Sequence, residues 1–201
     1  MSSHDKIAAS LTQLYKFFIK FGYLKETQMK WPPHKDLDLD LTLAKNSGLS
    51  ESSIELLKKI PWADVANTDL AYESKILSYS HDYSFESCRH PVCPSEDVDE
   101  EGNPLLDGNL LPLSIATPSY GSHLLVNADR GTIKDWVYLD EGFKDVTEMN
   151  AFFFLDAMRK EYEALEEIPS ANIILNSEVA PPGGVVSNVE HLGFVILLTQ
   201  K

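Results

Sequence analysis

The chain has 201 residues, 43% of them hydrophobic and 24% charged, which suffices for a core without disulfides or a metal. Its 31 acidic residues outnumber 17 basic ones and give a net charge of −14, which repels nucleic-acid phosphates and anionic lipid headgroups. No apolar run approaches the roughly 20 residues of a membrane span, and two cysteines, Cys88 and Cys93, do not make the framework of a secreted disulfide-rich domain.

The first predicted element is an amphipathic helix that ends at Gly22, a residue typical of helix C-termini. Its apolar stripe consists of Ile7, Leu11, Leu14, Phe18 and Phe21. Trp31 then leads into Pro32 and Pro33, which cannot continue a helix and predict a rigid, extended connection.

Residues 37–43 alternate leucine with polar residues, as a strand does, whereas residues 41–48 fit a short helix, and the helix is favoured. Ser50 is expected to cap a further helix that ends before Pro61. The pattern weakens from 63 to 109, where residues 96–104 predict a solvated acidic loop.

Three strands are predicted next, at 110–115, 123–127 and 132–138. Pro112 indicates an edge position or a bulge in the first strand. Residues 128–131 form a hairpin connection, with Gly131 at the position that most needs a positive φ. The third strand alternates apolar and polar residues, so one of its faces is expected to be solvated.

The last helix is expected to begin at a Thr147 cap and to end at Pro169. Its apolar stripe comprises Ala151, Leu155, Met158, Tyr162 and Leu165. We therefore predict one α+β domain over 1–170, with its N-terminal and C-terminal helices packed on a mostly antiparallel sheet. Residues 171–201 are interpreted as a C-terminal extension, either an appended hairpin or a loosely attached segment.

The order of these motifs resembles the SUKH superfamily, particularly the fungal branch named after a cell-wall assembly and glucan-synthesis regulator. The resemblance covers roughly residues 10–170 and rests mainly on a strand around Pro112, a turn at Gly121, and a hairpin that runs through Asp129 and Gly131 to Trp136. It implies an α+β fold and an interaction module: bacterial members neutralise toxins by binding them, and fungal members act in signalling and cell-wall regulation. The family has no established catalytic residues to carry over, so Gly121, Asp129, Gly131 and Trp136 are expected to be structural.

The strongest metal motif is the run from Cys88 through His90 to Cys93, with His81 as a conceivable fourth ligand. Zinc sites usually join two separated ligand pairs, and the sequence has no second pair, so an incidental set of side chains in a polar loop is favoured. No cofactor is predicted.

The sequence contains only weak candidates for a catalytic site. Ser122 and His123 are adjacent, so their side chains would point to opposite faces of a strand. A carboxylate pair such as Asp135 with Glu141 has no spacing that singles it out, and solvated surface charge is the simpler interpretation.

Two functional hypotheses follow. The first is a non-catalytic, cytoplasmic protein-interaction module that binds a basic protein, with no nucleic-acid or membrane partner. Solubility alone also accounts for the charge and is the favoured explanation of it. The second is a hydrolase or zinc-dependent enzyme whose site shows no sequence motif. For the first, the candidate binding residues are Trp31, Glu96, Asp97, Asp99, Glu100 and Glu101.

Overall fold

The computed structural model describes residues 1–35, 38–65, 68–80, 85, 106–116, 121–137 and 146–164. These residues form an α+β fold, which confirms the predicted class. The helices are α1 (Ser3–Lys20), α2 (Leu41–Asn46), α3 (Glu51–Leu57) and α4 (Ala151–Ala164), with a 3-10 turn at Glu26–Gln28. The strands are β1 (Met29–Lys30), β2 (Trp62–Ala63), β3 (Asp69–Ala71), β4 (Ser74–Ile76), β5 (Leu110–Ala116), β6 (His123–Asn127), β7 (Thr132–Trp136) and β8 (Met149–Asn150).

Strands β3 to β8 form a six-stranded sheet in which each strand pairs antiparallel with the next one along the chain. Strands β1 and β2 pair separately. Strand β5 is internal, and its register with β6 shifts between Pro112 and Ser114. Of the two interpretations of Pro112, the bulge is therefore confirmed and the edge is wrong, because a bulge tolerates the missing amide donor.

The ends of α1 explain its length. Ser2 caps its start in a capping box with Asp5. At the other end Gly22 has φ +78°, and its N–H donates to the Ile19 carbonyl while the Tyr23 N–H donates to the Phe18 carbonyl. These two hydrogen bonds form a Schellman motif, so the predicted helix end at Gly22 is confirmed.

The two short helices are also confirmed. Residues 41–46 are helical, with the Asp40 side chain accepting from the Leu43 N–H. Ser50 caps α3 by accepting from the Ser53 N–H, as the sequence predicts.

The predicted start of the last helix is wrong. Helix α4 begins at Ala151, and Asn150 rather than Thr147 is its cap: the Asn150 side-chain oxygen accepts from the Phe153 N–H at 3.2 Å. The reason is that Met149 and Asn150 pair with β7 as strand β8, so the backbone stays extended up to the cap.

The sheet is buried on both faces. One face carries the main core beneath α1 and α4, which includes Leu124, Val126 and Ile133. The other carries a smaller cluster of Leu106, Leu110, Leu125, Trp136 and Val146. The expectation of a solvated face on the third predicted strand is therefore wrong, since Ile133 is 0% exposed and Trp136, which points the opposite way, is 2% exposed.

Two further observations complete the fold. The β3–β4 hairpin lies in the region from 63 to 109, where periodicity gave no clear element. None of the described helices is both long and apolar enough to cross a membrane. The acidic loop, the proposed boundary at 170 and the extension over 171–201 lie outside the described residues.

Candidate functional site

Among the described residues, a cavity of about 380 Å³ lies between the sheet and α4. Its residues come from the β3–β4 hairpin, from β6 and β7 with their flanks, and from one face of α4. They are Ala71, Tyr72, Gly121, Ser122, Leu124, Asp135 and Val137 on the sheet side, and Phe154, Ala157, Met158 and Glu161 on the helix side.

Gly121 fixes the rim of the cavity. Its φ is +77°, and a Cβ atom there would lie 2.1 Å from the carbonyl oxygen of Glu73, in the turn of the β3–β4 hairpin. Only glycine fits this approach. The hairpin is also held by the Ser122 N–H, which donates to Ser74 Oγ at 2.9 Å. Tyr72, the other residue of the turn, is thereby placed at the cavity mouth with 62% of its surface exposed.

Asp135 supplies the sheet-side charge. It pairs across strands with Leu124 and has the same parity as Ile133, so its side chain points towards the helix layer. Its Oδ1 atom is buried and has no hydrogen-bond partner among the described residues. A buried carboxylate oxygen without a donor is unfavourable by roughly 1–3 kcal/mol or more, so this position is unusual for a residue whose only role is structural.

The helix-side wall comes from a single face of α4. Phe154, Met158 and Glu161 are spaced four and three residues apart, which places them in one row. Met158 is buried and Phe154 partly buried, whereas Glu161 is exposed. The wall is therefore apolar at its base and acidic at its edge.

The basic side chains of α4 form ion pairs with carboxylates that do not line the cavity. Arg159 bonds to Asp156 at 2.8 Å and to Glu163, and Lys160 lies 2.7 Å from Asp156. These partners raise the pKa of Arg159, and the two cations hold the pKa of Asp156 below its ordinary value. No ion pair within the described part of the chain involves Glu161 or Asp135.

The cavity does not contain a serine–histidine pair. Ser122 lines it, but the His123 ring lies on the other face of the sheet, 5.1 Å from the Trp136 ring. His123 Nδ1 accepts from the Ala116 N–H at 3.3 Å. The predicted separation of these two side chains is confirmed.

The metal motif and the acidic candidates cannot be placed. His81, Cys88, His90 and Cys93 lie outside the described residues, as do Glu141 and the acidic residues of the binding prediction. Within the ranges that the structure describes, no group of three or more His, Cys, Asp or Glu side chains could hold a metal ion.

The remaining predicted residues lie away from the cavity. Trp31 is half-buried against the main core, and its Nε1–H donates to Glu26 Oε1 at 2.8 Å. Asp129 is exposed in the β6–β7 turn, and Trp136 belongs to the smaller core. Gly131, with φ +67°, packs against Ser3 at the start of α1.

Comparison with known proteins gives no match: no family model, no curated protein and no solved structure matches this chain. The SUKH resemblance therefore stays a prediction that the order of the motifs carries alone.

From the sequence, Asp135 was paired with Glu141 and not with Glu161, and Tyr72 was not singled out. One signal was present, because Asp135 falls on the apolar parity of its strand beside Ile133. A carboxylate at a core-facing position indicates either a buried partner or a ligand. The three side chains belong to separate elements, so no local spacing joins them.

Proposed function

We propose that this protein is a non-catalytic interaction module of the cytoplasm that binds a basic protein partner. The single observation that carries the proposal is the cavity beneath α4, which combines apolar walls with two carboxylates that have no cation among the described residues. A pocket of this composition suits a cationic side chain on a partner, because the carboxylates can pair with its charge and the apolar walls can contact its stem.

The charge of the whole chain supports the same proposal. A net charge of −14 accelerates association with a positively charged surface and slows association with nucleic acid and with anionic membranes. The SUKH resemblance adds two biological settings, regulation of cell-wall assembly or signalling, and neutralisation of a toxin.

The proposal is tested by affinity capture from a native cell extract at low and at moderate salt, with identification by mass spectrometry. We expect a stoichiometric basic partner whose recovery falls as salt rises, because exposed charges are screened over about 8–10 Å at physiological ionic strength. Failure to recover any stoichiometric partner at either salt would contradict the proposal.

Two sets of variants locate the binding surface. Asp135→Asn with Glu161→Gln removes the charge of the cavity, and Asp129→Asn with Glu51→Gln removes the same charge from exposed positions elsewhere. A third variant changes Glu96, Asp97, Asp99, Glu100 and Glu101 to Ser or Asn, because the sequence also predicts that acidic loop as a docking surface. Binding that survives the loop variant but not the cavity variant assigns the partner to the cavity.

A further inference from the structure

The positions of the two carboxylates restrict which cationic ligands fit the cavity. Its two carboxylates differ in position, with the half-buried Asp135 on the sheet side and the exposed Glu161 at the edge of α4. A ligand that satisfies both must bring positive charge past the rim and reach the Asp135 carboxylate on the sheet. It must therefore be long and carry several N–H groups at its tip.

The walls favour a ligand with an apolar stem. Leu124 is 0% exposed and Met158 6% exposed, and both line the interior of the cavity. Phe154 and Tyr72 add two aromatic rings, of which Tyr72 lies at the mouth. A fully hydrated cation would leave these surfaces without contacts, whereas an aliphatic chain would bury against them.

From this arrangement we infer that the cavity takes the side chain of a single arginine from the partner. A guanidinium group presents five donors in a planar fork, which can engage a carboxylate through two bonds and stack on an aromatic ring. A lysine ammonium is a compact, strongly hydrated point charge that gains less from both contacts. The volume of about 380 Å³ accommodates one such side chain, and it lies near the lower end of the usual range of ligand sites.

A second cavity in the molecule has the opposite chemistry. It has a volume of about 210 Å³, and its lining includes Lys6, Arg130 and the exposed Phe153. Its lining residues include no carboxylate, so it offers an arginine no anionic partner. It therefore serves as an internal control for any binding that follows the overall charge instead of the cavity.

The inference rests on the proposed function and is tested on the full chain by NMR. Three probes are titrated into ¹⁵N-labelled protein: N-acetyl-arginine methylamide, the lysine analogue and the citrulline analogue, which matches arginine in shape but is uncharged. We expect saturable shifts at Tyr72, Ser122, Asp135 and Glu161 with arginine, affinity at least about fivefold weaker with lysine, and no saturation with citrulline.

Variants then identify the contacts. Asp135→Asn is expected to weaken arginine binding about tenfold, the usual scale for one charge-assisted hydrogen bond, and Glu161→Gln is expected to weaken it less because Glu161 is exposed. Tyr72→Leu should narrow the preference for arginine over lysine. Asp129→Asn should change neither the affinity for arginine nor the affinity for lysine. Glu161 and Tyr72 are both exposed, so their variants remain informative if Asp135→Asn does not fold.

Equal affinity for arginine and lysine, saturation by citrulline, or shifts spread evenly over the acidic surface would overturn the inference. These outcomes are separable from failure of the proposed function. A captured partner that tolerates Asp135→Asn with Glu161→Gln refutes the arginine site alone, whereas saturable arginine binding without any captured partner refutes the partner and leaves the site.

Discussion

The space between α4 and the sheet is packed in one region and open in another. In the packed region Leu155 is 0% exposed, and Tyr162 lies 5.4 Å from the Phe18 ring and donates its hydroxyl to the Leu70 carbonyl at 2.7 Å. In the open region, around Asp135, the same helix and the same sheet enclose the cavity, and a carboxylate oxygen has no partner among the described residues. The packed region therefore stabilises the fold, whereas the open region leaves space that a ligand could fill.

The largest expected effect concerns neighbouring residues of α4. Leu155→Ala should lower the free energy of unfolding by about 2–5 kcal/mol, because it leaves a void in a packed core. Phe154→Ala, in the cavity wall, should cost clearly less, and Phe153→Ala, at a residue that is 68% exposed, should stay within about 0.5 kcal/mol. Urea denaturation measures all three. Equal losses at Phe154 and Leu155 would show that the cavity wall is packed core after all.

The second prediction concerns the rim. Gly121→Ala should lower the free energy of unfolding by about 2–4 kcal/mol, since it combines a left-handed backbone with a Cβ atom placed against the Glu73 carbonyl. Gly22→Ala is the matched control, because φ is +78° there but nothing lies within 4 Å of the added atom, so only the backbone term of about 1–2 kcal/mol applies. Denaturation of both variants gives the comparison, and identical losses would remove the steric role of Gly121.

The third prediction isolates the polar anchor of the packed region. Tyr162→Phe deletes the hydroxyl that reaches the Leu70 carbonyl and should cost about 1–2 kcal/mol. Tyr72→Phe removes a hydroxyl from an exposed ring at the cavity mouth and should leave stability unchanged. Thermal denaturation of the two variants separates the anchor from the rim, and a larger loss at Tyr72 would reverse the assignment of the two regions.

The fourth prediction concerns the His34 side chain, which lies outside the cavity. His34 packs 3.9 Å from the Trp62 ring, and its Nε2 atom lies 2.8 Å from the Ile60 carbonyl oxygen. Burial lowers the pKa of His34 below its ordinary value, although the bond to Ile60 opposes the shift. The folded state therefore binds this proton less readily than the unfolded state does, so stability is full above the ordinary pKa of about 6.5 and falls as pH drops below it.

The measurement is the free energy of unfolding at pH 7.5 and at pH 5.5 for the wild type and for His34→Gln. The variant should lose less stability over this interval, whatever its absolute stability. An equal loss in both proteins would show that His34 does not titrate differently in the folded and unfolded states.

The comparison also shows what the sequence could predict. Local rules located the stripe of α1, the Gly22 stop, the Ser50 cap and the Gly131 turn, because each depends on neighbouring residues. The cap of α4 was placed at Thr147 because strand β8, which extends the chain to Asn150, is set by pairing with β7 and not by local propensity. Likewise the second core could not be predicted, since it needs Leu106 and Val146 to cover the face that carries Trp136.

The cavity was the least predictable feature. Tyr72, Asp135 and Glu161 meet only after the meander places the β3–β4 hairpin against Gly121 and α4 across β7. The one sequence signal was that Asp135 lies on the apolar face of its strand. This position does not reveal whether a residue of the protein or a ligand pairs with the carboxylate.

The most direct test of the open region is the free energy of unfolding of Asp135→Asn. If the carboxylate is kept for a ligand, removing its charge does not destabilise the free protein, and we predict a stability equal to that of the wild type or higher by up to about 1–2 kcal/mol. A loss of more than about 1 kcal/mol would show that the carboxylate has a structural partner, and the claim that the open region is reserved for binding would then be wrong.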